Sequence, residues 1–290
     1  MSVLPDVPGV SHQWVQVDGL RFHVAEAGSG DDVILLLHGW PEHWYCWRHL
    51  LPALAEAGHR VLAMDLRGFG WSDAPARGYE KEQLADDVLG VLDALGLRRV
   101  KLVGHDWGGW VGFLLCLRAP ERFERFFVMN IVGPWVGVGA MGANAWRFGY
   151  QWLMLSPGLG ALAQRSGVIL RMSYRLGVRN QRAFSDGGAR ESFVENLSEP
   201  ARARAGVQMY RVFNMRELPA IMRGRYDDQR LTVPTKVLFG TADAVLRPSM
   251  LGATEAHAED MQVEFAPGIG HFIAEEAPDL VAERAIAFLG

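Results

Sequence analysis

Five short runs of apolar residues, spaced along the chain, place the strongest constraint on how it can fold. They occupy residues 33–37, 60–64, 100–103, 126–129 and 236–239. Continuous apolar runs of this length are typical of parallel strands that are buried on both faces. Segments with helical periodicity separate the runs. The alternation therefore predicts an α/β fold with a mostly parallel, doubly wound sheet.

Turn and cap residues mark the ends of further elements. Residues 14–25 alternate between apolar and polar side chains around Asp18 and Gly19, which predicts a β-hairpin with a two-residue turn. Two segments with helical periodicity stop just before Gly58 and Gly96, and glycine is the preferred residue at a helix C-terminus. These signals support the same alternation of strands and helices.

The alternation stops between residues 133 and 228, where helical patterns continue without a convincing strand. We therefore predict a core over residues 1–132 and 229–290, with a helical cap inserted over residues 133–228. The cap contains 13 arginines, no lysine and seven acidic residues, so its net charge is +6, against −4 for the whole chain and −10 for the core. A basic cap attracts anionic ligands, or only faces the acidic core and solvent. The second interpretation is favoured.

Composition excludes several classes of protein. Hydrophobic residues make up 49% of the chain and charged residues 21%, as in ordinary globular proteins. The net charge of −4 argues against nucleic-acid binding through bulk positive charge. Two cysteines, Cys46 and Cys116, are too few for a disulfide scaffold or a cysteine zinc site. They predict buried thiols in a reducing compartment, so we expect a cytoplasmic protein with no secretory signal.

A long uncharged stretch and a glycine-rich pattern near the start of the cap resemble a membrane span and a dinucleotide site, but each lacks a feature that its function requires. The longest uncharged stretch, residues 126–146, contains Pro134 and four glycines, so no membrane span is predicted. Residues 137–142 match G-x-G-x-x-G, the glycine pattern of dinucleotide sites. Such a site also needs an acidic residue about 20 positions later. No acid occurs between Glu124 and Asp186, so we reject a dinucleotide cofactor.

The strongest chemical signal is the sequence VGHDWGG at residues 103–109, between a predicted strand and a helical pattern. It matches the nucleophile elbow G-x-Nu-x-G, with Asp106 in the position of the nucleophile. A sharp strand-to-helix turn brings backbones close together, so side chains at positions 104, 108 and 109 would collide there. The N-terminus of the following helix also favours a negative charge at Asp106.

Three further motifs fit around this elbow. The sequence HGWP at residues 38–41 follows an apolar run, and we expect the backbone N–H groups of Trp40 and Trp107 to form an oxyanion hole. A cis peptide bond before Pro41 would fix that turn. Asp243 follows a late predicted strand, and His271 lies in a glycine-flanked loop near the C-terminus. The chain order of nucleophile, acid and histidine is that of α/β-hydrolases.

The sequence as a whole resembles the epoxide hydrolases of the α/β-hydrolase superfamily. The resemblance covers nearly the whole chain and is densest at residues 37–48 (LHGWPEHWYCWR), at residues 64–72 (MDLRGFGWS) and at the elbow. It implies the α/β-hydrolase fold with an inserted helical cap. In that family two cap tyrosines activate the epoxide. The motifs FGYQ and MYR, which contain Tyr150 and Tyr210, resemble the motifs of those tyrosines.

The identity of the nucleophile discriminates between reactions. A serine that attacks an sp³ carbon would leave an ether, whereas the carboxylate of Asp106 would leave an ester that the enzyme can hydrolyse. Asp106 therefore indicates alkylating substrates, either epoxides or haloalkanes. The resemblance implies a small hydrophobic epoxide and water as the reactants, and neither a cofactor nor a metal. The catalytic residues that it implies are Asp106, His271, Asp243, Tyr150 and Tyr210. The substrate pocket that it implies is lined by His38, Pro41 and Trp107.

Other functions stay open at this point. A haloalkane dehalogenase would share Asp106 and His271, and Trp107 could help to hold halide. Such enzymes also need a second halide donor, often an amide side chain in the oxyanion loop, where this chain has Trp40. A fluoroacetate-type dehalogenase is disfavoured because Trp107 stands where arginine is expected. A non-catalytic ligand receptor can adopt the same fold, although the intact triad argues against it. The sequence is compatible with a monomer or a homodimer.

Overall fold

The computed structural model describes residues 2–135, 149–156, 158–184 and 188–290. Among these residues, eight strands form one sheet in the order β1-β2-β4-β3-β5-β6-β7-β8. Strands β3 to β8 are parallel to one another, and the β1–β2 hairpin joins antiparallel to β4. The strands are β1 Ser11–Val17, β2 Leu20–Ala27, β3 Val33–Leu37, β4 Arg60–Met64, β5 Val100–His105, β6 Phe123–Met129, β7 Thr235–Gly240 and β8 Met261–Ala266.

This sheet confirms the predicted α/β fold. All five residues of β3 and all six of β5 are buried, because helices cover both faces of the central sheet. In the predicted hairpin, Val17 pairs with Leu20 across a turn in which Asp18 and Gly19 both have positive φ. The edge strand β8 was missing from the prediction. Its polar residues Gln262 and Glu264 alternate with apolar ones, so it lacks the continuous apolar run by which the other parallel strands were recognised.

Twelve α-helices lie within the described residues. Gly58 and Gly96, with φ of +99° and +69°, follow the C-termini of α1 and α2 as expected. The helices are α1 Leu50–Glu56, α2 Lys81–Ala94, α3 Asp106–Arg118, α4 Gly149–Leu155, α5 Leu159–Arg165, α6 Val168–Gly177, α7 Ala189–Leu197, α8 Pro200–Val212, α9 Leu218–Ile221, α10 Gly252–Ala256, α11 Ile273–Glu276 and α12 Pro278–Leu289.

Between β6 and β7 the described chain is helical, and we call helices α4 to α9 the cap helices. Helix α8 continues through one π-helical turn, Phe213–Glu217, into α9. Several bonds join the cap helices to the core; for example, the hydroxyl of Tyr174 donates to the carbonyl of Pro41 over 2.6 Å. The domain boundaries at residues 133 and 228 stay a prediction. The rejected G-x-G-x-x-G pattern at residues 137–142 lies outside the described residues.

No helix in the described part of the chain combines the length and the apolar character needed to cross a bilayer. Within the same residues, no group of three or more histidine, cysteine or acidic side chains is arranged to hold a metal ion.

The elbow glycines provide a direct test of the packing. A Cβ atom built on Gly108 would lie 2.1 Å from the carbonyl oxygen of Leu37, a backbone atom that cannot move aside without distorting β3. We expect Gly108→Ala to lower the free energy of unfolding by about 3 kcal/mol or more. The control Gly252→Ala adds the same methyl group at a helical position with open space, and should change stability little. Chemical denaturation measures both, and equal effects would contradict the packing argument.

Candidate active site

Asp106 lies at a strained turn between β5 and α3. Its φ of +49° is in the left-handed region, which an aspartate adopts only when the surroundings enforce it. A Cβ on Gly104 would lie 2.6 Å from the Cα of Gly109, so the elbow closes only because both positions lack side chains. As the first residue of α3, Asp106 is also close to the positive end of the helix dipole.

Each carboxylate oxygen of Asp106 has a partner. The backbone N–H of Trp40 donates to Oδ1 over 2.8 Å, and Nε2 of His271 lies 3.5 Å from Oδ2. Burial opposes ionisation of Asp106, but the hydrogen bond and positive charge of His271 outweigh it and hold the pKa of Asp106 below its ordinary value. The carboxylate is therefore ionised at neutral pH, as a nucleophile must be.

His271 connects Asp106 to a second carboxylate. Its Nδ1 lies 2.8 Å from Oδ2 of Asp243, and both side chains are almost fully buried. Burial alone would lower the pKa of His271, but the charges of Asp243 and Asp106 dominate and raise it well above its ordinary value. In the resting site, two carboxylates therefore flank a charged imidazole. The structure brings together all three residues of the predicted triad.

Asn130 supports the triad and was missed in the sequence. It follows β6, and its Nδ2 donates to Oδ2 of Asp243 over 2.8 Å and to the carbonyl of Gly270 over 3.0 Å. Its Oδ1 accepts from the backbone N–H of Gly240 over 3.1 Å. The φ of Asn130 is +46°, a conformation that asparagine tolerates better than most residues. An asparagine directly after a buried strand was the available signal, but only the fold places it beside Asp243.

His105 and Glu42 form another buried support. Nε2 of His105 lies 2.8 Å from the backbone carbonyl of His271, and its Nδ1 lies 3.1 Å from a carboxylate oxygen of Glu42. The ring of His105 thus connects the loop that carries His271 to the oxyanion loop that carries Glu42.

The oxyanion loop and the elbow bring Trp40 and Trp107 close to Asp106. The peptide bond between Trp40 and Pro41 is cis, as predicted. The backbone N–H groups of both tryptophans interact with the carboxylate of Asp106. Two adjacent backbone donors can stabilise negative charge on an oxygen at this position.

Tyr150 of α4 and Tyr210 of α8 extend from the cap helices towards Asp106. Their hydroxyl oxygens lie 3.2 Å apart. The ring of Tyr150 stacks on that of Trp40 with centroids 5.8 Å apart, and Tyr210 meets the same indole edge-on at 5.3 Å. Burial raises the pKa of Tyr150 to about 12 and that of Tyr210 well above its ordinary value. Both phenols therefore stay protonated and can donate hydrogen bonds.

Two cavities meet at Asp106 and the two tyrosines. The larger has a volume of about 410 Å³, and its walls include Trp40, Pro41 and His271. The smaller has about 100 Å³ and includes Trp107. Asp106, Tyr150, Tyr210 and Val245 line both cavities. Pro41 and Trp107 thus lie where the sequence placed them, on the walls of a pocket.

The expectation that His38 lines the pocket is wrong. His38 is fully buried and belongs to the walls of neither cavity in the described structure. Its Nε2 accepts from the backbone N–H of Leu66, and its Nδ1 lies 2.9 Å from the carbonyl of Gly39. Both ring nitrogens are thus used to hold the oxyanion loop against the loop after β4. Burial, despite nearby Asp65, lowers the pKa of His38 and keeps the ring neutral.

Comparisons with known proteins identify the family to which the chain belongs. A family model described as the alpha/beta hydrolase fold matches residues 32–278. A soluble epoxide hydrolase of Corynebacterium sp. (strain C12) is 31% identical, over 96% of this chain and 97% of the relative. Epoxide hydrolase A of Mycobacterium tuberculosis is 31% identical, over 95% and 96% of the two chains. The solved structure of the epoxide hydrolase CorEH without ligand superposes with a TM-score of 0.84 at 29% identity, over 96% and 98%.

The chain therefore belongs to the α/β-hydrolase fold family. Within that family it is similar over nearly its full length to proteins named as epoxide hydrolases.

The raised pKa of His271 can be tested without a substrate. Asp106→Asn removes one of the two negative charges that favour the charged imidazole, so we expect the pKa of His271 to fall relative to the unchanged protein. NMR titration of ¹⁵N-histidine-labelled protein measures the shift. Asp279→Asn, which removes an exposed acid on α12, is the control and should leave that pKa unchanged. An unaltered pKa in Asp106→Asn would contradict the charge assignment.

Proposed function

We propose that this protein hydrolyses epoxides to vicinal diols through a covalent ester on Asp106. One observation carries the proposal: an ionised carboxylate faces two protonated phenols across the junction of two largely apolar cavities. The carboxylate can attack a carbon, while the phenols can stabilise an oxygen that becomes negatively charged. The similarity to named epoxide hydrolases supports the same conclusion.

In the first step, a carboxylate oxygen of Asp106 bonds to one epoxide carbon. The bond between that carbon and the ring oxygen breaks, and its electron pair moves to the oxygen. Tyr150 and Tyr210 donate hydrogen bonds to this developing alkoxide; one phenol transfers its proton to complete the hydroxyl group, and the phenolate that is left takes a proton from solvent. The enzyme now holds a hydroxyalkyl ester of Asp106.

In the second step, water cleaves the ester. Asp106 is neutral as an ester, so one of the two charges that raise the pKa of His271 is gone. The imidazole then releases its extra proton to solvent and becomes available as a base. Asp243 keeps the imidazole oriented while His271 takes a proton from water. The hydroxide attacks the ester carbonyl, and the backbone N–H groups of Trp40 and Trp107 stabilise the tetrahedral oxyanion. Loss of the diol alkoxide, which is then protonated, restores the carboxylate.

Haloalkane dehalogenation is the second candidate. It would use the same Asp106 ester and the same hydrolysis. One observation favours it: among the described residues, the indole Nε1 of Trp40 is buried without a hydrogen-bond partner, and an indole N–H can hold a halide. The paired phenols favour the epoxide, because a leaving halide needs no proton whereas an alkoxide does.

We also propose that the protein works in the cytoplasm. Cys46 and Cys116 are both free and buried, and burial raises the pKa of each thiol, so neither is poised to form a disulfide. Reduced, inert thiols suit a reducing compartment. Whether the protein is a monomer or a homodimer stays a prediction.

Isotope labelling tests the covalent step. In a single turnover of styrene oxide in ¹⁸O-water, label should enter the carboxylate of Asp106, and little should enter the diol. Asp106→Asn should form no ester, because a neutral amide is a poor nucleophile; fresh protein is used because deamidation would restore aspartate. Label that appears directly in the diol would contradict the ester. Halide release from bromoalkanes, with no diol from any epoxide, would establish the dehalogenase instead.

Removal of single hydroxyl groups tests the phenols. Tyr150→Phe and Tyr210→Phe each delete one donor to the alkoxide, so we expect kcat for epoxide opening to fall by about tenfold to a hundredfold, and further in the double variant. Tyr226→Phe is the matched control, because Tyr226 is also buried and its hydroxyl binds Glu82. Stopped-flow kinetics measure ester formation. An equal loss in all three variants would indicate a general structural effect.

A further inference from the structure

A lysine and a glutamate are buried where the core meets the cap helices, and the chemistry above uses neither. Lys81 is the first residue of α2, and its side chain is wholly buried. Glu217 is the last residue of the π-helical turn after α8. Nζ of Lys81 lies 3.0 Å from Oε2 of Glu217, and the backbone N–H of Lys81 donates to Oε1 over 2.7 Å. The carboxylate of Glu217 thus binds both the backbone N–H and the side-chain ammonium group of Lys81.

The other partners of the Lys81 ammonium group lie next to the active site. Nζ donates to the backbone carbonyl of Met209 over 2.8 Å. It also lies 4.6 Å from the centroid of the Trp107 ring and 5.1 Å from that of Phe213, at cation–π distance. Burial lowers the pKa of Lys81, while the charge of Glu217 favours the ammonium form. The three N–H donors are therefore directed at a carboxylate, a carbonyl and an aromatic surface.

Met209 lies on helix α8 and Trp107 lies on the elbow, and these two elements set the distance between Tyr210 and Asp106 during the proposed reaction. Met209 directly precedes Tyr210, which donates to the epoxide oxygen. Trp107 directly follows Asp106, which attacks the epoxide carbon. The ring of Trp107 meets that of Tyr210 edge-on at 5.6 Å and that of Phe213 at 4.7 Å. Lys81 therefore contacts both the elbow and the end of helix α8, where the π-helical turn alters the helical register.

We propose that Lys81 and Glu217 are positioning residues for ring opening, which hold Tyr210 at its working distance from Asp106. The inference rests on the proposed epoxide hydrolysis. A buried ion pair loses the hydration of both charges, and apolar side chains of similar volume often stabilise a fold as well. Stability alone therefore does not explain why a lysine is buried here. The need to fix the position of α8, and with it Tyr210, relative to the core explains it better.

The role predicts an effect on one step only. Tyr210 contributes to ring opening, when the alkoxide forms. Ester hydrolysis depends on His271 and on the backbone N–H groups of the oxyanion hole. Lys81 contacts the indole ring of Trp107, whereas the backbone of the elbow and the Asp243–His271 hydrogen bond hold the groups that hydrolysis uses. Loss of the Lys81–Glu217 pair should therefore slow ester formation and leave ester hydrolysis unchanged. A merely stabilising pair would not distinguish the two steps.

The test is rapid-quench single turnover of styrene oxide, with the ester on the intact protein quantified by mass spectrometry. In Lys81→Met and Glu217→Gln we expect the rate of ester formation to fall by about tenfold to a hundredfold, since a displacement near 1 Å at a reacting group has that effect. The rate of ester hydrolysis should stay within about twofold, because its machinery is untouched. Lys81→Arg keeps the charge and several donors, and should recover part of the loss.

A second buried ion pair on the same helix is the control. Arg67 donates from Nε to Asp87 of α2 over 2.6 Å, and both side chains are buried. Asp87→Asn disrupts this pair away from both cavities, so both rate constants should remain near those of the unchanged protein.

Two results would overturn the positioning role: both steps slowed in parallel in Lys81→Met and Glu217→Gln, or neither step slowed. An unchanged protein that forms no ester with any epoxide would overturn the proposed function, and this inference with it. The two failures are therefore distinguishable.

Discussion

The strained turn at Asp106 is the constraint on which the rest of the structure depends. An aspartate at φ +49° is held there because β5 and α3 meet at an angle that brings Gly104 and Gly109 into contact. The same turn places the carboxylate at the carboxyl end of the sheet, above the start of a helix. The loops that follow β3, β6, β7 and β8 begin at the same edge of the sheet, because these strands are parallel to β5. The strand order therefore brings four site residues together: Trp40, Asn130, Asp243 and His271.

Buried charges around the elbow are stable because each has a specific partner. Asp106 and Asp243 flank His271, and Lys81 faces Glu217. Burial opposes the charges of Asp106, Asp243 and His271, and the opposite charges within this triad outweigh it. In the proposed reaction, the arrangement also connects the two chemical steps. Conversion of Asp106 to a neutral ester would change the charge balance at His271, so formation of the intermediate would itself prepare the base that removes it.

The sequence allowed prediction of the features that depend on local pattern. Continuous apolar runs identified the buried parallel strands, and the glycines around Asp106 identified the elbow. Edge strand β8 lacks such a run and was missed. Asn130, Glu42 and Lys81 were missed as well, because an isolated polar residue has no signature until the fold places it beside its partner. His38 was assigned to the pocket from its position in a motif, whereas both of its ring nitrogens bind backbone groups.

The sequence by itself determined which chemistry to propose: a carboxylate at a nucleophile elbow would leave a hydrolysable ester on carbon, and this proposal follows from residue type and local turn geometry alone. Only the tertiary structure decided how that carboxylate is used. The two phenols whose oxygens lie 3.2 Å apart are 60 positions apart in the chain, and Lys81 and Glu217 are 136 positions apart. The two cavities that meet at Asp106 are likewise lined by separate segments of the core and the cap helices. Such distances are set by the packing of the cap helices on the sheet, which depends on many side chains at once and leaves no periodic mark on the sequence.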